Sequence, residues 1–398
     1  MKLSKRITSM QSSPIRNLVP IANKAKSKGI KVYHLNIGQP DIKTPKGFFE
    51  AVKNFDSEVL EYATSQGIPE LISSLKRYYT KYDMHFESDE ILITNGGSEA
   101  LLFTLMATCD PQDNILIPEP FYTNFNGFNQ SININVIPIT TKAEDGFHLP
   151  NKDKIQSLIN HKTRAILLSN PGNPTGTVYT KKELYMISEI AKDNDLWIIS
   201  DEVYREFVYD GLEYISLGNI KEIEDRVIII DSVSKRYSAC GARIGSIASK
   251  NKTLINEILK LCQSRLCVST LDQIGSVGLY NTPTSYFTEV NNDYKNRRDV
   301  LYNELIKVKG VICKKPAGAF YIVVKLPVEN AEDFVIWMLT DFNKDGETVM
   351  ACPAKGFYAT HGLGRDEIRL AYVLKEEDLY KSAIILKEGL EKYLELKK

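Results

Sequence analysis

Ile91-Leu92-Ile93-Thr94-Asn95-Gly96-Gly97-Ser98-Glu99-Ala100-Leu101-Leu102 decides the fold. The apolar run from Ile91 to Thr94 stops at Asn95-Gly96-Gly97. Beyond that turn Leu101, Leu102, Leu105 and Met106 recur at the spacing of one buried helix face. This is a strand, a turn and a helix. The same alternation returns along the chain, with strand-like runs at Ile115-Leu116-Ile117, Val136-Ile137-Pro138-Ile139, Ala165 to Leu168, Trp197-Ile198-Ile199, Val227 to Ile230 and Ile244 to Ile247. Amphipathic stretches such as Lys181 to Lys192 lie between them. Continuously apolar strands alternating with helices predict an α/β fold whose mostly parallel sheet is covered by helices on both faces. This large unit is expected over residues 46–290. A smaller α+β unit is expected from both chain ends, residues 1–45 and 291–398. It would hold a charged helix from Tyr294 to Lys307, strands at Phe320 to Val324 and Glu367 to Val373, and a terminal helix from Glu376 to Leu396. Near the start, Ser13 reads as an N-cap and Pro14 as the first residue of its helix.

Composition narrows the class of protein. With 398 residues the chain can bury a large core without metal or disulfide staples. Lys plus Arg and Asp plus Glu each number 50, so no general basic surface is available for nucleic acid or anionic lipid. The basic start, Met1 to Arg6, leads into Ser, Gln, Pro and Asn and not into an apolar targeting segment. The longest apolar runs fall far short of the roughly 18 residues that a membrane span needs. The six Cys form no CxxC pair and no Cys/His ligand set, and the five His show no metal spacing, so no metal site is expected. A cytoplasmic protein with reduced thiols follows.

In open parallel sheets ligands bind beyond the carboxyl ends of the strands, so polar residues directly after an apolar run carry extra weight. Four such ends stand out. Thr94 to Glu99 is a glycine turn feeding a helix N-terminus, where backbone N–H groups favour a phosphate; by itself this is also an ordinary strand-to-helix turn. Ser169-Asn170-Pro171-Gly172-Asn173-Pro174-Thr175-Gly176 must be a tightly fixed loop. Ser200-Asp201-Glu202-Val203-Tyr204 sends an Asp into a partly buried place where it needs a cation, unless it caps a helix. Asp231-Ser232-Val233-Ser234-Lys235, followed by Arg243, sets a lysine among small hydroxyl residues just past an apolar strand. Burial makes such an amine a nucleophile able to form a Schiff base.

Taken together and in this order, the motifs Gly96-Gly97-Ser98-Glu99-Ala100, Asn170 to Gly176, Asp201 to Tyr204 and Ser232 to Lys235 with Arg243 resemble the fold-type I, pyridoxal-phosphate-dependent class I aminotransferases. The resemblance runs from Leu35-Asn36-Ile37-Gly38-Gln39-Pro40-Asp41 to Ile368-Arg369-Leu370. It implies pyridoxal 5'-phosphate as cofactor, held on Lys235, whose freed amine then carries a proton at the substrate Cα. Asp201 is implied to keep the pyridine nitrogen protonated. Tyr204 and Asn173 would hydrogen-bond the ring's phenolate oxygen, and Tyr122 would stack on the ring. Gly97, Ser98, Ser232, Ser234 and Arg243 would hold the phosphate. Tyr62 matches a tyrosine that reaches the phosphate from a neighbouring subunit, which implies a homodimer with shared active sites. Arg369 and the Gly38 backbone would bind the substrate α-carboxylate.

The implied reaction moves an amino group from an L-amino acid to a 2-oxo acid such as 2-oxoglutarate by a ping-pong mechanism. Carbon–sulfur lyases share the fold and nearly all these residues, so that reading stays open here. An amino-acid-sensing module of a transcription regulator would need a DNA-binding unit, and no helix-turn-helix pattern precedes Leu35. An aspartate-type donor needs a second cation for its distal carboxylate. The helix position where some bacterial aspartate enzymes carry a Lys matches Met106, which leaves two candidates: Arg265, near the segment from which other aspartate enzymes extend an Arg into the partner's site, and Arg16, on the N-terminal segment that often covers the pocket. The family's loop also implies cis peptide bonds at Asn173-Pro174 and, more weakly, at Glu119-Pro120.

Overall fold

The computed structural model describes residues 1–397; residue 398 lies outside them. Among the described residues twelve strands occur in chain order: β1 Lys31–His34, β2 Ile91–Thr94, β3 Asn114–Glu119, β4 Asn135–Thr140, β5 Thr163–Ser169, β6 Trp197–Asp201, β7 Val227–Ser232, β8 Gly245–Ala248, β9 Tyr321–Lys325, β10 Glu347–Met350, β11 Cys352–Pro353 and β12 Glu367–Ala371. Seven of them build the main sheet in the order β2-β8-β7-β6-β5-β3-β4. Only β8 opposes its neighbours, pairing antiparallel with both β2 and β7, while β7, β6, β5, β3 and β4 run parallel. The central strands are continuously apolar because helices cover both faces: every residue of β2, β3 and β7 is buried. Pro138 is tolerated in β4 because that strand lies at the sheet edge.

Local chemistry starts the helices where the pattern places them. The helix Lys181–Asp193 opens with a reciprocal cap, in which Thr180 Oγ1 accepts from the Glu183 backbone N–H and Glu183 accepts from that of Thr180. The helix Gly96–Thr108 follows β2 directly through Gly96, whose φ of +74° suits glycine. A Cβ at Gly96 would lie 2.4 Å from the Arg243 guanidinium, so glycine also makes room for that side chain.

A second apolar core draws on both chain ends, joining Leu18, Ala22, Tyr33 and Leu35 to Phe320, Phe334, Leu370 and Leu386. Its strands form a parallel pair, β1 with β10, and the antiparallel sheet β11-β12-β9. Two expectations need correction. The long helix runs from Thr284 to Leu305, ten residues ahead of the expected start at Tyr294 and across the expected boundary at 290. Tyr286, in its first turns, packs against both cores, so no change of composition marks the passage from one to the other. Ser13 and Pro14 open only a turn, where the Ser13 carbonyl accepts from the Arg16 and Asn17 N–H groups at 3.0 and 3.1 Å. The helix itself is Val19–Ser27, with Pro20 in its first turn. Among the described residues no helix is long and apolar enough to cross a membrane.

Candidate active site

One cavity of about 390 Å³ opens at the carboxyl ends of β2, β6 and β7, within the roughly 300–1,000 Å³ typical of small-molecule sites. Its wall brings together Gly38, Gly97, Ser98, Tyr122, Asn173, Asp201, Tyr204, Ser232, Ser234, Lys235, Arg243 and Arg369. Tyr62 is not in the wall. It stands 82% exposed, beside the exposed Val59 and Leu60.

Each side chain is placed by the end of an element. Lys235 lies in the single turn Val233–Arg236 that follows β7, and its Nζ donates to the Gly38 carbonyl at 3.0 Å. Ser232 caps that turn by accepting from the Ser234 N–H at 3.1 Å, and the two Oγ atoms are 2.8 Å apart. Beneath the turn the buried Asp231 takes Arg236 on one oxygen and Arg205 at 3.2 Å on the other, and Arg205 also meets Glu202 at 2.7 Å. Arg243 adopts a left-handed φ of 53° and donates to the Cys240 carbonyl at 3.0 Å. Asn95 makes no side-chain cap on the helix Gly96–Thr108, which leaves its first amides to a ligand. The Asn170 to Gly176 loop is closed by bonds from Gly172 N–H to the Thr177 carbonyl at 2.8 Å and from Gly176 N–H to the Gly172 carbonyl at 2.9 Å. Asn173-Pro174 and Glu119-Pro120 are cis, and so is Asn170-Pro171, which the motif reading did not anticipate.

Two buried charges in this wall lack partners. Asp201, at the end of β6, forms no ion pair among the described residues, and burial pushes its carboxyl from 3.8 up to about 7. Arg369, on β12, is 1% exposed and likewise meets no carboxylate. It donates to Asn173 Oδ1 at 3.2 Å and to the Asn36 carbonyl at 2.5 Å, while its Nε is buried with no acceptor. A buried carboxylate and a buried guanidinium, neither of them in an ion pair, are costly unless a ligand completes them. A protonated pyridine ring and an amino acid's carboxylate fit those two vacant roles, and the unpaired Arg243 with the open helix N-terminus fits a phosphate.

Of the two candidate cations, Arg265 lies outside its own chain's cavity wall, 3.3 Å from Glu99 and donating to the Ile93 carbonyl at 3.2 Å. Arg16 lines the cavity and forms no ion pair among the described residues. Met106 sits on the helix Gly96–Thr108, 45% exposed and outside the wall. The motif reading missed Tyr321 and Cys240, which also line the site. Tyr321 was hidden inside an apolar strand run, and Cys240 in a segment without periodicity. Cys109, Cys262 and Cys352 are buried and the other three Cys half-buried, all as free thiols.

Residues 30–379 match the family "Aminotransferase class I and II". The chain belongs to that family, as a fold-type I class I aminotransferase, and is a pyridoxal-phosphate-dependent transaminase like the relatives it matches. It is 32% identical to the "Probable aspartate aminotransferase" of Methanocaldococcus jannaschii, over 98% of this chain and 100% of that protein. Among solved structures it resembles the alanine aminotransferase of Pyrococcus furiosus, with a TM-score of 0.90 and 31% identity over 98% of this chain and 100% of that one. A single mutant of the Thermus thermophilus aspartate aminotransferase superposes with a TM-score of 0.89 and 25% identity, over 98% of this chain and 100% of that one.

Proposed function

We propose that this enzyme moves the amino group of an L-amino acid, of aspartate type, to a 2-oxo acid such as 2-oxoglutarate in two ping-pong half-reactions on pyridoxal 5'-phosphate. The observation that carries the reading is one cavity holding Lys235, a buried Asp201 that forms no ion pair and a buried Arg369 that forms none, among the described residues. When bound, the cofactor supplies an electron sink for the bond broken at the substrate Cα.

The chain's own residues do the rest. Lys235 would hold the cofactor, and its free amine would move the proton at the substrate Cα. Asp201 holds the proton on the ring nitrogen. Tyr204 and Asn173 would hydrogen-bond the ring's phenolate oxygen, and Tyr122 would stack on the ring. Gly97 and Ser98 amides, the Ser232 and Ser234 hydroxyls and the Arg243 guanidinium hold the phosphate. Arg369 takes the α-carboxylate, with Gly38 close by. The exposed Val59, Leu60 and Tyr62 support a homodimer in which Tyr62 reaches the partner's phosphate site. Arg16, free of any carboxylate in the cavity wall, supports a distal carboxylate on the donor.

A panel of aspartate, glutamate, alanine and aromatic donors against 2-oxoglutarate tests the reading. Aspartate is expected to give the highest kcat/KM. Release of a thiol and ammonia from a cysteine S-conjugate, which carries a sulfur leaving group on Cβ, without any 2-oxo acid present would identify a β-eliminating carbon–sulfur lyase instead.

A further inference from the structure

Tyr321, at the start of β9, touches more of the site than any motif suggests. Its Oη lies 2.9 Å from Tyr204 Oη, and the two side chains are 2% and 3% exposed. The Arg369 guanidinium sits over its ring, 4.7 Å from the centroid. A Cβ on Gly38 would fall 1.9 Å from its Oη, so the hydroxyl is packed against the Gly38 backbone, whose carbonyl accepts from Lys235. One side chain thus meets the tyrosine, the arginine and the lysine's acceptor.

Each phenol has one hydrogen to give. Were Tyr204 to donate to Tyr321, no hydrogen would remain on Tyr204 for a ligand. Tyr321 has no other hydrogen-bond partner among the described residues, so it can donate to Tyr204 and leave the Tyr204 hydrogen facing the cavity. Donation into Tyr204 also polarises it into a stronger donor, as in other buried hydrogen-bond chains. The groups facing this pair are Tyr122, Asp201, Lys235 and Arg369. Burial keeps the Tyr204 phenol protonated throughout the working pH range.

We propose that Tyr321 is a positioning residue: its hydroxyl donates to Tyr204, which frees the Tyr204 hydrogen for the cofactor's ring oxygen, and its ring face holds Arg369 in place for the α-carboxylate. The proposal rests on the cofactor reading above. A weaker donor at the ring oxygen leaves the neighbouring nitrogen holding its proton more tightly, so the pH at which that proton leaves must rise.

The test uses the purified holoenzyme and reads the pH midpoint of its visible absorbance change. Tyr321→Phe, which keeps the ring, is expected to raise the midpoint by about half to one unit and leave KM for the amino donor nearly unchanged. Tyr321→Leu, which removes the ring, is expected to raise KM about tenfold. Adding Tyr321→Phe to Tyr204→Phe is expected to move the midpoint no further. An unchanged midpoint in Tyr321→Phe, or an equal rise on the Tyr204→Phe background, overturns the proposal. A wild-type protein that binds no pyridoxal phosphate and shows no visible band overturns the cofactor reading itself, a separate result.

Discussion

Arg369 donates to Asn173 Oδ1 at 3.2 Å across a separation of 196 residues, which ties a strand of the C-terminal sheet to the loop after β5. The bond fixes the guanidinium while leaving its Nε without an acceptor. Arg369→Gln removes the charge but keeps much of the packing. Losing one member of a buried charge pair costs about 2–5 kcal/mol, so kcat/KM should fall by a factor of about 30 to several thousand. The loss should be alike for every amino-acid donor, because all share the α-carboxylate. Steady-state kinetics with aspartate and alanine checks this; a loss confined to one donor contradicts it.

The Asp201 carboxyl titrates at about 7 in the folded chain because burial penalises its charge. A folded pKa raised above the unfolded value means that the folded state binds the proton more tightly. Stability of the cofactor-free protein should therefore fall as pH rises from about 4 to about 7, by at most about 4 kcal/mol from this group. Glu367 is also pushed up to about 7 by burial and contributes with the same sign. The Asp201→Asn variant isolates the Asp201 part. Between pH 5 and pH 8 its Tm should drop less than that of the wild type, and equal drops would refute the assignment.

Much of this site was legible in the sequence because its chemistry sits where apolar runs stop. Asp201 ends β6, Ser232 ends β7 and Lys235 follows within a turn, so each interrupts a pattern that burial alone would continue. Tyr321 shows the opposite case. It lies within Phe320-Tyr321-Ile322-Val323-Val324, where a functional tyrosine and a core aromatic look alike. The contacts that reveal it, to Tyr204 and Gly38, join residues far apart in the chain, and local periodicity carries no record of them. Arg265 is equally ambiguous as a sequence letter, and its pairing with Glu99 outside its own chain's cavity wall is likewise a contact that periodicity does not record.

Arg16 should govern donor choice and not the chemistry. Arg16→Ala is expected to lower kcat/KM for aspartate by about tenfold to a hundredfold, the range of about 1.5–3 kcal/mol for a charge-assisted contact. Activity with alanine should stay within about twofold. If the variant keeps the wild-type preference for aspartate over alanine, another cation binds the distal carboxylate.

Asp231 is fully buried and balances Arg205 and Arg236 directly beneath the turn that bears Lys235. Its Oδ1 also accepts from the Ser232 backbone N–H at 2.7 Å. Asp231→Asn leaves a buried excess of positive charge, which costs about 3–5 kcal/mol. The urea midpoint of the variant should fall accordingly, and an unchanged midpoint contradicts this account of the cluster.

Borohydride reduction of the pyridoxal-phosphate-loaded protein, followed by peptide mass analysis, tests the central claim most directly. The account predicts that the reduced cofactor is found on the peptide containing Lys235, and on no peptide of Lys235→Ala, which should retain its fold and lose transamination. Cofactor mass on a different lysine, or substantial transaminase activity in Lys235→Ala, would contradict it.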